Sequence, residues 1–194
     1  MAVSGTPSRP SPGTPDLEAM IEALELARVQ YVITGSVAAW AWTGTAEATP
    51  GDLDIAPELS HQNLASLATL LDRCGARPVH RPDWKRSLSR EACAAWRPHP
   101  ATAEQLDHQL ETPWGLLDVV PRISGEFARL VERAATLDAW GHRVRVAHPE
   151  DLLATLRPDR AEKHQRREAA LVAALARAAT GARPAGLTHR ATRD

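Results

Sequence analysis

Asp52-Leu53-Asp54-Ile55 alternates acidic and apolar residues, the pattern of a strand with one face in a core. Residues i and i+2 of a strand point the same way, so Asp52 and Asp54 project side by side while Leu53 and Ile55 turn inward. Two carboxylates this close repel, and one is driven toward protonation unless a cation sits between them. Oxygen donors on a rigid strand suit Mg2+, which takes one or two carboxylates together with substrate phosphates. An exposed edge strand with an acidic face would carry the same short pattern. Asp118 is a third acid, set inside the apolar run Leu116-Leu117-Asp118-Val119-Val120. A buried carboxylate needs a partner. A metal shared with Asp52 and Asp54 would be one, and a turn to solvent at a sheet edge is the alternative. Gly35-Ser36 follows the apolar Tyr31-Val32-Ile33. A Gly-containing strand-to-helix turn lets backbone N–H groups and a helix N-terminus meet an anion. The Ser36 hydroxyl then either donates to a terminal phosphate or serves as the helix N-cap.

The remaining residues supply elements to hold these groups. Asp16 reads as an N-cap before Leu17, Met20, Ile21, Leu24 and Leu26, spaced for one helical face. A buried strand at 31–33 leads into a helix from Val37 to about Trp42 that stops near Gly44. Leu64, Leu67, Leu70 and Leu71 predict a helix over 60–73 with Gly75 at its end, followed by a strand within 76–80. Residues 81–105 read as a loop-rich insertion. Segments 106–111 and 114–120 flank Thr112-Pro113 as an antiparallel hairpin. Ile123 to Ala135 is amphipathic, Gly141 to Ala147 alternates like a strand, and Pro158 separates helices at 149–156 and 159–179. Helices and strands mixed with a hairpin argue α+β or α/β.

A chain of 194 residues fits one domain, or one with a small appendage. Its 43% hydrophobic and 24% charged residues are those of a globular protein. The net charge of −1 excludes whole-molecule attraction to nucleic acid or membrane. The charge is split, however: residues 141–194 hold 11 Lys+Arg and 6 Asp+Glu, or +5, against −6 for residues 1–140. A basic C-terminal part can face an anionic ligand. Residues 77–97 carry a local +4 from six basic and two acidic residues, with Trp84 and Trp96 interleaved, a composition that suits phosphate contact and base stacking. Cys74 and Cys93 are too few for a disulfide framework or a Cys-rich zinc site, and the eight histidines lack zinc spacing. No apolar run approaches the roughly 20 residues of a membrane span. The N-terminus lacks a signal peptide's apolar core, which predicts a cytoplasmic chain.

Strand, Gly35-Ser36, helix, then Asp52-Leu53-Asp54-Ile55 about sixteen residues later and Asp118 on a later strand resembles the nucleotidyltransferase superfamily, the polymerase-beta-like fold. The segment from Val144 to Leu153 resembles the strand-then-helix that follows the third carboxylate in small bacterial toxin-type members, the abortive-infection (AbiEii-like) and MenT-like toxins. The likeness spans about residues 18–175. It implies an α+β fold: a small mixed sheet with helices over 16–147 and a C-terminal helical segment at 148–180; the Pro-, Ser-, Gly- and Thr-rich residues 1–15 read as a disordered tail and 181–194 as a frayed one. It implies an enzyme that transfers a nucleoside monophosphate from an NTP to an acceptor hydroxyl, releasing pyrophosphate, with Mg2+ or Mn2+ as cofactor. Asp52 and Asp54 would hold the metal bridging the triphosphate, Gly35 and Ser36 would cradle its outer phosphates, and Asp118 would bind a second metal and help deprotonate the hydroxyl. Where relatives carry a Lys and then a Lys-Asp pair near the C-terminus, this chain has Arg157 and Lys163, the expected nucleotide contacts. Arg160, Lys163 and Arg167 share one helix face, for triphosphate or RNA, or simply as a solvated face beside Glu162 and Glu168. By resemblance the acceptor is a tRNA 3′ end and the partner a cognate antitoxin. A small-molecule or protein acceptor, glycosyl transfer, and a degenerate binding module are the alternatives.

Overall fold

The computed structural model describes residues 15–44, 50–82, 87–122, 127–156, 162–181, 183–184 and 186–187, the side chains of 162–166 excepted. Asp16 starts the first helix, its carboxylate accepting from the Ala19 N–H at 3.0 Å. This helix, α1 (Leu17–Leu26), buries Leu17, Met20, Ile21 and Leu24. Leu26 departs from the expected face: it lies in the last turn and is 77% exposed. A short loop leads to β1 (Tyr31–Thr34), buried at every position, and directly into α2 (Gly35–Thr43).

Strand β2 (Asp52–Pro57) and helix α3 (His61–Arg73) come next. Ser60 caps α3 by accepting from the Asn63 N–H, and Leu64, Leu67 and Leu71 form its inner face. Asn63, itself buried, donates through its amide to the carbonyls of Gln30 and Glu58 and so ties α3 to the loops around β1 and β2. A two-residue strand, β3 (Arg77–Pro78), precedes the stretch expected to be loop-rich. That stretch contains the short helices α4 (Arg90–Ala95) and α5 (Ala103–Leu106), capped by Ser89 and Thr102. The hairpin of β4 (Gln109–Thr112) and β5 (Gly115–Val119) turns at Pro113-Trp114. Helix α6 (Phe127–Arg133) ends before the amphipathic stretch does, and the last residue of that stretch, Ala135, opens β6 (Ala135–Ala139), which turns at Trp140-Gly141 into β7 (His142–Val146). Both turn residues have positive φ, 49° and 80°, as a type I′ hairpin loop requires. Pro149 begins α7 (Pro149–Thr155), and α8 (Glu162–Ala179) closes the described chain apart from the few residues after it.

The seven strands form one mixed sheet in the order β3-β4-β5-β2-β1-β7-β6. β2 runs parallel to β5 and antiparallel to β1, and β1 runs parallel to β7. Leu53 and Ile55, paired with Leu117 and Val119, point into the core and are fully or almost fully buried. The alternation read from the sequence at 52–55 is therefore the alternation of a central strand. The indole N–H of Trp42 donates to the Ala147 carbonyl at 2.8 Å and pins α2 to the end of β7. Among the described residues, no helix is long and apolar enough to cross a membrane.

Candidate active site

Strand register places four polar residues in one row across the sheet. Gln109 pairs with Asp118, Asp118 with Asp54, and Asp54 with Thr34. Asp52 stands one side-chain repeat earlier on β2, on the same face. One carboxylate oxygen from each of Asp52, Asp54 and Asp118 lies within 4.8 Å of the other two. Asp118 thus turns toward the paired acids and not to solvent at a sheet edge, because β5 is bordered by β2 and β4.

Asp54 and Asp118 are charged at a cost. Burial, then the neighbouring Asp52, raises the Asp54 pKa to about 6, against a downward pull from the Ser36 N–H and from Arg167 on α8. Burial, then Asp54 and Asp52, raises Asp118 to about 7, with Arg81 pulling down. Three hard oxygen donors with mutual repulsion and two raised pKa values fit a divalent cation, which removes the repulsion by neutralising it.

The Gly35-Ser36 turn meets these acids directly. Gly35 adopts φ +59°, and a Cβ added there would overlap the Asp54 carboxylate. Only glycine lets the start of α2 approach this closely. Ser36 is not the N-cap that its position suggested: Thr34 takes that place, and α2 begins at Gly35. The Ser36 N–H is directed at Asp54, while its hydroxyl is buried without a hydrogen-bond partner. A buried hydroxyl left unpaired is costly, so this one is well suited to an arriving oxygen.

Of the residues expected to act, Gly35, Ser36, Asp52, Asp54 and Asp118 come together here. Arg157 and Arg160 lie outside the described residues, as does the side chain of Lys163. Trp84, Lys85 and Arg86 of the basic stretch also lie outside them. Trp96 is no stacking platform: it is buried, its indole N–H donates to the Gln105 carbonyl at 3.1 Å, and its edge meets His108. Two residues at the site were not anticipated. Gln109 donates to Asp52 Oδ2 at 2.9 Å, and Arg81 donates to Gln109 Oε1 at 3.1 and 2.7 Å. The hairpin read from the sequence turned at Thr112-Pro113, which would set Gln109 opposite Leu116; the observed turn at Pro113-Trp114 moves the register and sets it opposite Asp118.

The raised pKa values make a prediction about proton linkage. Folded Asp54 and Asp118 hold protons that the unfolded chain has released, between about pH 4 and about pH 7. The stability linked to these two groups is therefore greatest below about pH 4 and falls progressively as pH rises from about 4 through about 6 to 7. A divalent ion competes with the same protons. Saturating Mg2+ is expected to raise the melting temperature several degrees near pH 8 and scarcely at all near pH 5, measured by thermal melts across the range.

No family model matches the chain, and no curated protein matches it. Solved structures do. The lincosamide antibiotic adenylyltransferase LnuA, bound to lincomycin, superposes with TM-score 0.56 at 15% identity, over 84% of this chain and 99% of that one. ANT(2")-Ia in complex with adenylyl-2"-tobramycin gives TM-score 0.50 at 17% identity, over 80% and 85%. An antigenic nucleotidyltransferase-like protein from Paracoccidioides brasiliensis gives 0.51 at 14%, over 84% and 77%. The chain is an α+β protein whose mixed sheet brings three carboxylates together beside a Gly-Ser turn. Its fold is that of the nucleotidyltransferases.

Proposed function

We propose that the chain is a metal-dependent nucleotidyltransferase that moves a nucleoside monophosphate from an NTP to a hydroxyl of a small-molecule acceptor. The observation that carries this reading is the meeting of Asp52, Asp54 and Asp118 within 4.8 Å, beside a turn stripped of side-chain bulk. The acceptor class rests on fold likeness to two proteins whose structures hold lincomycin and adenylylated tobramycin. The tRNA end rested on resemblance alone, and the burial of Trp96 removes a base-stacking surface that the 77–97 stretch had offered.

Asp52, Asp54 and Asp118 would hold Mg2+ or Mn2+, which when bound supplies charge neutralisation for the triphosphate and acidifies the acceptor hydroxyl. The chain's own residues do the rest. The Ser36 amide is already turned to Asp54, so its hydroxyl is the donor to an outer phosphate, at the N-terminal end of α2. Arg167, whose charge already reaches Asp54, adds a counter-charge from α8. The acceptor oxygen bonds to the α-phosphorus as the bond to the pyrophosphate oxygen breaks, and Asp118 takes the hydroxyl proton. Positioning and charge account for the rate, with no covalent nucleophile.

The test is transfer of label. Purified protein is incubated with each α-labelled NTP, Mg2+ and either an aminoglycoside and lincosamide panel or bulk tRNA, beside Asp54→Ala. Label on a small acceptor, released with pyrophosphate and absent in the variant, is the expected outcome. Label on tRNA alone replaces the small acceptor with an RNA end and reopens the search for an antitoxin. NTP binding with no transfer to any acceptor leaves a binding module and ends the enzyme reading.

A further inference from the structure

We propose that Gln109, held by Arg81, is a positioning residue that fixes the Asp52 carboxylate for divalent-cation binding; this rests on reading the three acids as a cation site. Gln109 is only 6% exposed, yet its amide is fully used on one side by a cation and on the other by an acid. Arg81 reaches Gln109 Oε1 with both Nε and Nη2, at 3.1 and 2.7 Å. A guanidinium has donors and no acceptor, so it admits only the amide oxygen on its side. That choice forces the Gln109 NH2 toward Asp52, where it donates to Oδ2 at 2.9 Å. The orientation of the amide is dictated by its partners.

The arrangement answers a mechanical problem. Asp54 is steadied by the Ser36 N–H, and it lies between β1 and β5 in the sheet. Asp52 begins its strand, with Gly51 before it and open space around that glycine. Gln109 reaches it from β4, across the intervening β5. The Arg81 backbone N–H is itself anchored on the Ser87 hydroxyl at 2.7 Å. A chain thus runs from Ser87 through Arg81 and Gln109 to one oxygen of Asp52, leaving the other oxygen for a cation. Partners that orient a metal-binding group commonly change affinity by about 10–100-fold when removed.

Charge and positioning predict opposite signs at Arg81. As a nearby cation, Arg81 opposes binding of another, so removing its effect would tighten binding. As the clamp on Gln109, its loss would weaken binding. Arg81→Lys keeps the charge and loses the fork, which isolates the second effect.

The experiment titrates Mn2+ into metal-free protein near pH 8 and follows free ion by electron paramagnetic resonance. Gln109→Met is expected to weaken Mn2+ by about 10-fold or more, and Arg81→Lys by a smaller factor. The double variant is expected to be no weaker than Gln109→Met alone, because both act through one chain. Gln109→Met binding within about threefold of the parent, or effects that multiply in the double variant, overturns the proposal. Should Gln109→Met fail to fold, the exposed Arg81→Lys decides: unchanged or tighter binding overturns it. A residue with only a structural role would lower the melting temperature and leave Mn2+ affinity intact. A parent that binds no Mn2+ at all defeats the function proposed above, a different result from a parent that binds and variants that match it.

Discussion

Asp118→Asn is expected to make the metal-free protein more heat-stable near pH 8 while removing nucleotidyl transfer. The two effects share one cause. In the folded state Asp118 is pressed by burial and by three like charges, Asp54 first, then Asp52 and Asp107, which is why its pKa rises to about 7. At pH 8 it is mostly ionised and repelled. Asparagine keeps the shape and removes the charge, which also relieves Asp54. For a chain this size each kcal/mol relieved raises the melting temperature by about 2–4 °C. At about pH 5 the wild-type carboxyl is already protonated in the fold but still ionised in the unfolded chain, so the stabilisation should be smaller there and vanish only below about pH 4. Activity moves the other way. The variant loses a cation ligand and the proton acceptor together, and a fall of at least about 10²–10³-fold is the scale for losing one electrostatic group at a transition state. Differential scanning fluorimetry at both pH values, with the label-transfer assay, checks both halves. A variant less stable than its parent at pH 8 would mean that the acids are not in mutual repulsion. The Mg2+-dependent rise in melting temperature should shrink in the same variant.

That trade explains why the site could be read from sequence at all. Asp118 stands out because an acid in Leu116-Leu117-Asp118-Val119-Val120 violates the pattern of its own strand, and such a violation marks a candidate site. Asp52 and Asp54 were legible because strand alternation is a local rule. The same local rules failed where the answer lay elsewhere in the chain. β6 was hidden because Ala135–Ala139 continues an amphipathic stretch, and its turn uses Trp140 at positive φ where asparagine or aspartate would have announced a hairpin. The helices α4 and α5, six and four residues long, are too short to display a helical period, so only their Ser89 and Thr102 caps betray them. Leu26 matched the spacing of α1, but the helix ends before anything covers it. Gln109 and Arg81, 28 residues apart, carry no joint signal until the sheet brings them together.

Gly35→Ala is the second large effect, and a comparison with Gly141→Ala separates its causes. Both glycines hold positive φ, +59° and +80°. Left-handed backbone costs alanine about 1–2 kcal/mol at either position. Around Gly141 there is nothing within 4 Å of an added Cβ, so Gly141→Ala should lose a few degrees of stability and keep its activity. At Gly35 the same methyl group would occupy the space of the Asp54 carboxyl, touching Oδ2, Cγ and Cβ. One of the two must move. The backbone there is the junction of a fully buried strand and a helix pinned by Trp42 to Ala147, so the side chain of Asp54 is what yields. Moving it breaks its contact with the Ser36 N–H and takes it out of register with Asp118. Gly35→Ala should therefore match Asp54→Ala in activity, a loss of about 10²-fold or more, and should bind Mn2+ more weakly than Gly141→Ala does. Melting curves, Mn2+ titration and label transfer on the two variants side by side provide the test. Equal activity in both would show that α2 can retreat from β2 without harm, and that its close approach serves packing alone.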